Sequence, residues 1–177
     1  LGDVKEGGKS ATFFLTDHGS EHLAGKNDAR SFIVFMEDFN SKITNLSEDV
    51  SPNTNFDGLN VSRNPVHVTV LEEHASILDL KLGNVMSLVP YWEEPVDHVE
   101  VVIGSIVTKK DPIDPYWNMF ENVFMVSAGN KSATVPMFVS RDQYFDEMTH
   151  RFSNLTTTYS WFLDIDPQRI NVSNSEE

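Results

Sequence analysis

Apolar residues recur along this chain at two spacings, and the two spacings predict different elements of structure. A spacing of two is typical of strands, in which alternate side chains face the same way. Eight segments either show this alternation or are short apolar runs that end at turn-forming residues. They predict strands at 10–16, 66–71, 77–82, 86–89, 99–107, 119–127, 133–139 and 158–165.

Two other segments repeat apolar residues every three or four positions, which predicts amphipathic helices. The first helix is expected near 28–46, where the apolar positions are Phe32, Phe35, Met36, Phe39, Ile43 and Leu46. The second is expected near 141–155, because Ser140 is followed three residues later by Gln143, the pattern of a capping box. Its apolar positions are Tyr144, Met148, Phe152 and Leu155.

Together these elements predict one α+β domain over 10–167, with a loose segment at 1–9 and a flexible tail at 168–177. We expect a mostly antiparallel sheet of about seven or eight strands, with hairpins at 66–82 and 119–139. The order of elements resembles that of the helix-grip proteins, and the late helix followed by a strand is similar to the end of a lipocalin barrel. A β-sandwich or a lipocalin-like barrel with a C-terminal helix is therefore the alternative architecture.

Acidic residues outnumber basic ones in this chain by 27 to 13, which gives a formal net charge of −14. A negative excess of this size repels nucleic acids and anionic membrane surfaces. We therefore expect no nucleic-acid partner, and a protein partner that is basic. No segment approaches the roughly 18 to 20 apolar residues that span a membrane, so a membrane tether would lie outside this chain.

The chain has no cysteine, which excludes disulfides, zinc thiolate sites and thiol nucleophiles. It has five N-x-S/T sequons where about two would arise by chance. This excess predicts a secreted or lumenal, N-glycosylated protein, with a cytosolic or organellar subunit as the alternative. The candidate glycosylation sites are Asn45, Asn60, Asn130, Asn154 and Asn171.

Polar and ionisable residues cluster directly after the first predicted strand, in the stretch TDHGSEH at 16–22. Its TDHG portion resembles the histidine-bearing turn of legumain and caspase-like cysteine peptidases, whose thiolate nucleophile this chain cannot supply. The DHG turn is also similar to a metal-binding turn of the alkaline phosphatase superfamily. Carboxylate and imidazole groups are zinc ligands, so Asp17, His18 and His22 are candidates for a zinc site or for a metal-dependent hydrolase.

A second segment, Asn53 to Asn64, is similar to the calcium loop of an EF-hand. It has alternate oxygen donors and a glycine, Gly58, at the sixth position. Asn53 and Asn64 stand where that loop has an aspartate and a bidentate glutamate, so any calcium site here would be weak. Otherwise we expect no cofactor.

Two aromatic pairs, each next to a proline turn, are the candidates for contact with a ligand or partner: Tyr91 with Trp92, and Tyr116 with Trp117. Exposed aromatic residues are common anchors in recognition. The leading hypothesis is therefore a non-enzymatic binding domain that recognises a protein partner, or an apolar ligand held between helix and sheet. The alternatives are the metal-dependent hydrolase and a structural subunit of a larger assembly.

Overall fold

A computed structural model describes residues 4–16, 29–46, 65–92, 98–120, 124, 134–152 and 154–163. These residues are mostly β, and their strands belong to a single sheet of nine strands. The strands are β1 (Val4–Ser10), β2 (Phe13–Thr16), β3 (Arg30–Met36), β4 (Ile43–Asn45), β5 (Val66–Leu71), β6 (Val85–Val89), β7 (Val99–Lys109), β8 (Thr134–Phe138) and β9 (Thr157–Leu163).

Six of these strands close on themselves to form a barrel. Going round it, the order is β2, β6, β7, β5, β8 and β3, and β3 pairs back to β2 through Phe13 opposite Ser31. Two neighbouring pairs, β5 with β7 and β3 with β8, are parallel, whereas the other pairs round the barrel are antiparallel. An up-and-down barrel of the lipocalin type has only antiparallel neighbours, so this barrel has a different topology.

The barrel interior is filled by alternate apolar side chains of its six strands. In β5, for example, Val66, Val68 and Val70 are all buried in this cluster, while His67 and Thr69 between them are only half-buried. Such alternation is what a two-residue period produces when one face of a strand lines a closed core. The C-terminal helix (141–151) and the residue that follows it add three more buried side chains to this cluster: Tyr144, Met148 and Phe152.

A second apolar cluster lies outside the barrel, against the opposite faces of β3 and β8. It contains Phe32 and Val34 from β3, Phe138 from β8, and the aromatic residues of a 3₁₀ turn at Pro115–Asn118. Outside the barrel, β3 also pairs with β1, and β1 pairs with β9. The strands β1 and β9 thus form a two-stranded extension beyond the barrel.

The helix predicted at 28–46 is wrong. The segment forms β3, then a 3₁₀ turn at Phe39–Lys42, then β4, and Asp38 between them has a left-handed backbone with φ 62°. The reason is that β3 is buried on both faces, one in the barrel interior and one in the second cluster. A strand buried on both faces is apolar throughout, and so its alternation is lost. The remaining apolar residues fit a helical spacing only by coincidence.

The hairpin predicted at 66–82 is also wrong, although β5 itself is confirmed. Residues Glu72–Ile77 form a short helix, α1, and Asp79 with φ 49° lies in a turn rather than a strand. The strands β5 and β7 are parallel. A parallel pair needs a crossover connection, which a two-strand hairpin cannot provide.

At the N-terminus, Val4–Ser10 form β1 where the sequence predicted a loose segment over 1–9. The two glycines in KEGGKS favour that prediction, but in β1 they allow close packing. The tail 168–177 lies outside the described residues, as does most of the predicted hairpin 119–139 apart from Met119, Phe120, Phe124 and 134–139. Of these, 134–138 form β8, whereas Met119 and Phe120 lie in a turn where a strand was predicted.

The predicted C-terminal helix is present but spans 141–151, ending before the predicted 155, and it contains a π-helical turn at Tyr144–Met148. Its predicted capping box is present, because the Ser140 side chain accepts from the Gln143 backbone N–H and the Gln143 side chain accepts from the Ser140 N–H. No helix in the described part of the chain is long and apolar enough to cross a membrane. A barrel with a C-terminal helix therefore describes the fold better than an open sheet with two long helices.

Candidate functional site

Many residues singled out by their sequence pattern lie outside the described part of the chain. These are Asp17, His18 and His22, the calcium-like segment 53–64, and the sequon residues Asn60, Asn130 and Asn171. The zinc and calcium hypotheses therefore stay predictions. Among the residues that the structure describes, no group of three or more His, Asp or Glu side chains is placed to hold a metal ion.

Two of the five sequon asparagines lie on the described surface. Asn45 ends β4 and Asn154 lies in the turn before β9, and both are exposed. Either position leaves room for a glycan on the outside of the barrel. Glycosylation and a secreted or lumenal location stay predictions from the sequence.

The structure buries Tyr116 and Trp117, which were candidates for partner contact. Both belong to the second cluster, where the Tyr116 hydroxyl donates to the Glu37 carbonyl at 2.8 Å and the Trp117 Nε1 donates to the Asp111 carbonyl at 3.0 Å. Burial raises the pKa of the Tyr116 hydroxyl, and nearby carboxylates including Asp38 raise it further. These two residues hold the 3₁₀ turn on the barrel and have no surface to offer a partner.

The other aromatic pair is divided between the core and the surface. Trp92 packs at one end of the barrel, with its ring centroid 5.1 Å from that of Phe13 and 6.3 Å from that of Phe152. Tyr91 is 66% exposed and meets Trp92 edge to face. Of the four aromatic residues predicted to contact a partner, only Tyr91 is thus well exposed.

A larger group of exposed apolar residues lies on the β1–β9 extension. Its members share one face of the sheet, because Val4 is opposite Leu163 in the register and Tyr159 and Trp161 are at alternate positions of the same strand. We call this group the β9 face. Its exposed fractions are 58% for Val4, 43% for Tyr159, 68% for Trp161 and 36% for Leu163.

A row of aromatic rings connects the β9 face to the barrel. Phe35 contacts Phe145 of the C-terminal helix at 5.5 Å between centroids, Phe145 stacks on Tyr159 at 6.3 Å, and Tyr159 stacks on Trp161 at 6.3 Å. Exposure increases along this row, from the buried Phe35 to the exposed Trp161. Contacts along the row restrict the outer rings, and a side chain that is already restricted loses less conformational entropy on binding.

The opposite face of β9 is attached to the rest of the protein. Phe162 packs against the second cluster, and the Ser160 hydroxyl donates to the Met119 carbonyl at 2.6 Å. On the β9 face itself, Glu6 lies directly opposite Trp161, and its carboxylate accepts from Arg141 at 2.6 Å; Arg141 also lies 5.0 Å from the Phe145 ring. One face of β9 is thus anchored, and the other presents apolar side chains beside an ion pair.

A cleft of about 490 Å³ lies between the 3₁₀ turn at Phe39–Lys42 and the start of the C-terminal helix. The stacked rings of Phe39 and Phe138 contribute its apolar side. Its charged side chains, Asp38 and Arg141, already form ion pairs with residues of β1, and the Thr69 hydroxyl shares a hydrogen bond with a hydroxyl of β7. The cleft is therefore open and of mixed polarity, and these charged and hydroxyl groups are satisfied within the protein, whereas the buried Nδ1 of His67, which also lines the cleft, has no hydrogen-bond partner.

His74 of α1 is a buried ionisable residue, but its surroundings do not suit catalysis. Its side chain is 1% exposed, and neither ring nitrogen has a hydrogen-bond partner. Burial lowers the pKa of His74 to about 4, against the attraction of Glu73 and with the repulsion of Lys109. Lys109 pairs with the Glu73 carboxylate at 2.7 Å. His74 is therefore neutral at physiological pH, and the Glu73 carboxylate, 3.8 Å from its Nδ1, lies beyond hydrogen-bond distance.

Comparison with other proteins adds no assignment: no protein-family model and no curated protein sequence matches this chain.

The strand predicted at 158–165 has Tyr159, Trp161 and Leu163 at alternate positions and hence on one face, but the sequence pattern did not single them out as a site. Alternation shows that residues share a face, and it cannot show whether another layer covers that face. One feature of the sequence could have indicated this site: the seven residues TTYSWFL carry no charge, although the chain as a whole is acidic. Only the strand order places this segment at the border of the sheet.

Proposed function

We propose that this chain is a protein-interaction domain and that the β9 face is its docking surface. The observation that carries the proposal is the 68% exposure of Trp161 within a contiguous apolar group on an anchored strand. Tryptophan is among the residues most enriched at energetically dominant positions of protein interfaces. A contiguous exposed apolar patch on a folded domain commonly marks an interaction site.

The filling of the barrel supports a protein partner over an enclosed apolar ligand. The space between the C-terminal helix and the barrel holds the side chains of Tyr144, Met148 and Phe152, which are at most 1% exposed. Small-molecule sites are usually preformed concave cavities. The β9 face is instead a row of exposed side chains on one strand and its neighbour, which suits contact with another polypeptide.

Charge supports a partner that is basic as well as apolar. The chain carries a net charge of −14, and the helix that supports the β9 face exposes Asp142 and Asp146. Complementary charge speeds association and suppresses wrong partners. The partner segment is therefore expected to combine apolar residues, which cover Trp161 and Tyr159, with lysine or arginine.

A selection from a library of random peptides of about twelve residues tests this proposal. Peptides are selected on the wild-type protein, and their affinities are then measured for wild type, for Trp161→Ala and for the control Ile113→Ser. Ile113 is 88% exposed but lies in the turn before the 3₁₀ turn at Pro115–Asn118 and is not part of β1 or β9. Circular dichroism and thermal unfolding verify that both variants keep the fold.

We expect the selected peptides to be apolar and basic, and to bind Trp161→Ala at least about tenfold more weakly than wild type. Their affinity for Ile113→Ser should change by less than about twofold, because isolated surface residues contribute little to an interface that they do not contact. Peptides that bind Trp161→Ala as well as wild type would contradict the proposal. So would a selection that enriches no binding peptide.

A further inference from the structure

The strand β9 lies at the end of the sheet order and pairs with β1 along its whole length, from Thr157 opposite Ser10 to Leu163 opposite Val4. Among the described strands it has no neighbour on its other side. Such an edge exposes a row of backbone N–H and C=O groups that another chain can pair with.

The hydrogen bonds around β1 determine which residues of β9 direct their backbone outward. The Ala11 N–H donates to the Thr156 carbonyl at 2.9 Å, in the register that continues into β9. Hydrogen-bonded pairs in an antiparallel ladder occur at every second residue. The backbone groups of 158, 160 and 162 therefore point to β1, and those of 157, 159, 161 and 163 point outward.

The pairing of β1 with β3 independently gives the same assignment of inward and outward residues in β9. The Glu37 N–H donates to the Glu6 carbonyl at 2.9 Å, so Glu6 directs its backbone towards β3. By alternation Lys5, Gly7 and Lys9 direct theirs towards β9. Their partners in the register are Phe162, Ser160 and Thr158, the same residues as above.

The outward backbone groups and the β9 face belong to the same residues. Tyr159, Trp161 and Leu163 each present an exposed side chain and an outward N–H and C=O. A strand added at this edge would form backbone hydrogen bonds and would place its alternate side chains beside the aromatic rings.

Within the described part of the chain, the edge also lacks the features that normally prevent strand pairing. Exposed edges are usually protected by lysine, by proline, by a bulge or by a very short strand. The seven residues of β9, TTYSWFL, contain no charge and no proline, and their register with β1 is continuous. An unprotected edge of this length is expected to be covered in the functional state of the protein.

We propose that β9 binds its partner by strand addition, in which an extended, basic and apolar segment of a partner protein pairs with the outward backbone groups of residues 157–163. This inference rests on the proposed function and adds the mode of binding. A second copy of the chain is the disfavoured occupant, because two chains of net charge −14 repel each other at close range.

Backbone methylation of a bound peptide tests strand addition separately from side-chain docking. The tightest peptide from the selection is synthesised in two forms, one with N-methyl groups at its even positions and one at its odd positions. A strand added to an edge directs only one of the two sets of N–H groups at the protein. We expect one form to lose at least about tenfold in affinity and the other less than about threefold, because a lost backbone hydrogen bond has a net effect of roughly 1 kcal/mol.

Equal effects of the two methylated forms would overturn strand addition. If the unmodified peptide still discriminates against Trp161→Ala, the β9 face remains the docking surface and only the mode of binding is wrong. Sedimentation of the wild-type protein without peptide provides a further test. A dimer that Trp161→Ala abolishes would overturn the choice of a basic partner in favour of a second copy of the chain.

Discussion

At the scale of the residue, His74 makes the stability of the fold depend on pH. Both of its ring nitrogens are buried without partners, so the protein tolerates the neutral ring and disfavours the charged one. Burial lowers its pKa from 6.5 to about 4. Because the folded-state pKa is below the unfolded value, the stability linked to His74 is fully present above about pH 6.5 and is lost as the pH falls towards 4.

We expect His74→Leu to remove this part of the pH dependence. The difference between a pKa of 6.5 and one of about 4 corresponds to an upper limit of roughly 3 kcal/mol. Urea unfolding at pH 7 and pH 4.5 measures it: wild type should lose about 2 kcal/mol more than His74→Leu between the two values. The exposed His150 provides the control, since His150→Gln should keep the wild-type dependence. Equal losses in wild type and His74→Leu would show that His74 does not couple folding to pH.

At the scale of the element, the strand β1 depends on its glycines. Gly8 lies opposite Phe35 of β3 on one side and opposite Tyr159 of β9 on the other. The aromatic row therefore passes over β1 at Gly8. A methyl group at Gly8 would overlap the Phe35 ring. The absence of a side chain at Gly8 is therefore what lets the Phe35 ring reach the extension.

We expect Gly8→Ala to destabilise the protein by about 1 to 3 kcal/mol, the usual range for overpacking a core. Gly104 provides a matched control in β7. It lies at the register shift where Val68 pairs with Ile103 and Thr69 with Ser105, and a methyl group there would have its nearest neighbours at 3.5 Å. Gly104→Ala should therefore change the free energy of unfolding, measured in urea, by less than about 1 kcal/mol in either direction. A Gly8→Ala variant as stable as wild type would contradict the packing described here.

Elements with one buried face were predictable from the sequence, whereas elements whose form depends on distant strands were not. The strand β5 and the C-terminal helix show their periods clearly, because each has one face in the core. The strand β3 loses its period because it is buried on both faces. Likewise α1 replaces the predicted hairpin because β7 and β8 pair with β5 on its two sides, and no local pattern records pairing with strands that come later in the chain.

At the scale of the whole molecule, the closure of the barrel decides which strands remain unprotected. Six strands pair in a closed ring and have no free edge within it. The extension of β1 and β9 lies outside this ring, so the uncharged aromatic segment of the chain becomes an edge. The sequence placed the residues of this site on one face, but their exposure follows from a strand order that includes pairings between residues about 150 positions apart.

Residue-resolved amide hydrogen exchange by NMR tests the central claim about β9 most directly. In the free protein the amides of Thr158, Ser160 and Phe162 should be protected by β1, and those of Tyr159, Trp161 and Leu163 should exchange fast. Addition of the selected peptide should slow the second set and leave the first unchanged. Uniform protection along β9 in the free protein, or fast exchange at Tyr159 and Trp161 with the peptide bound, would contradict the account.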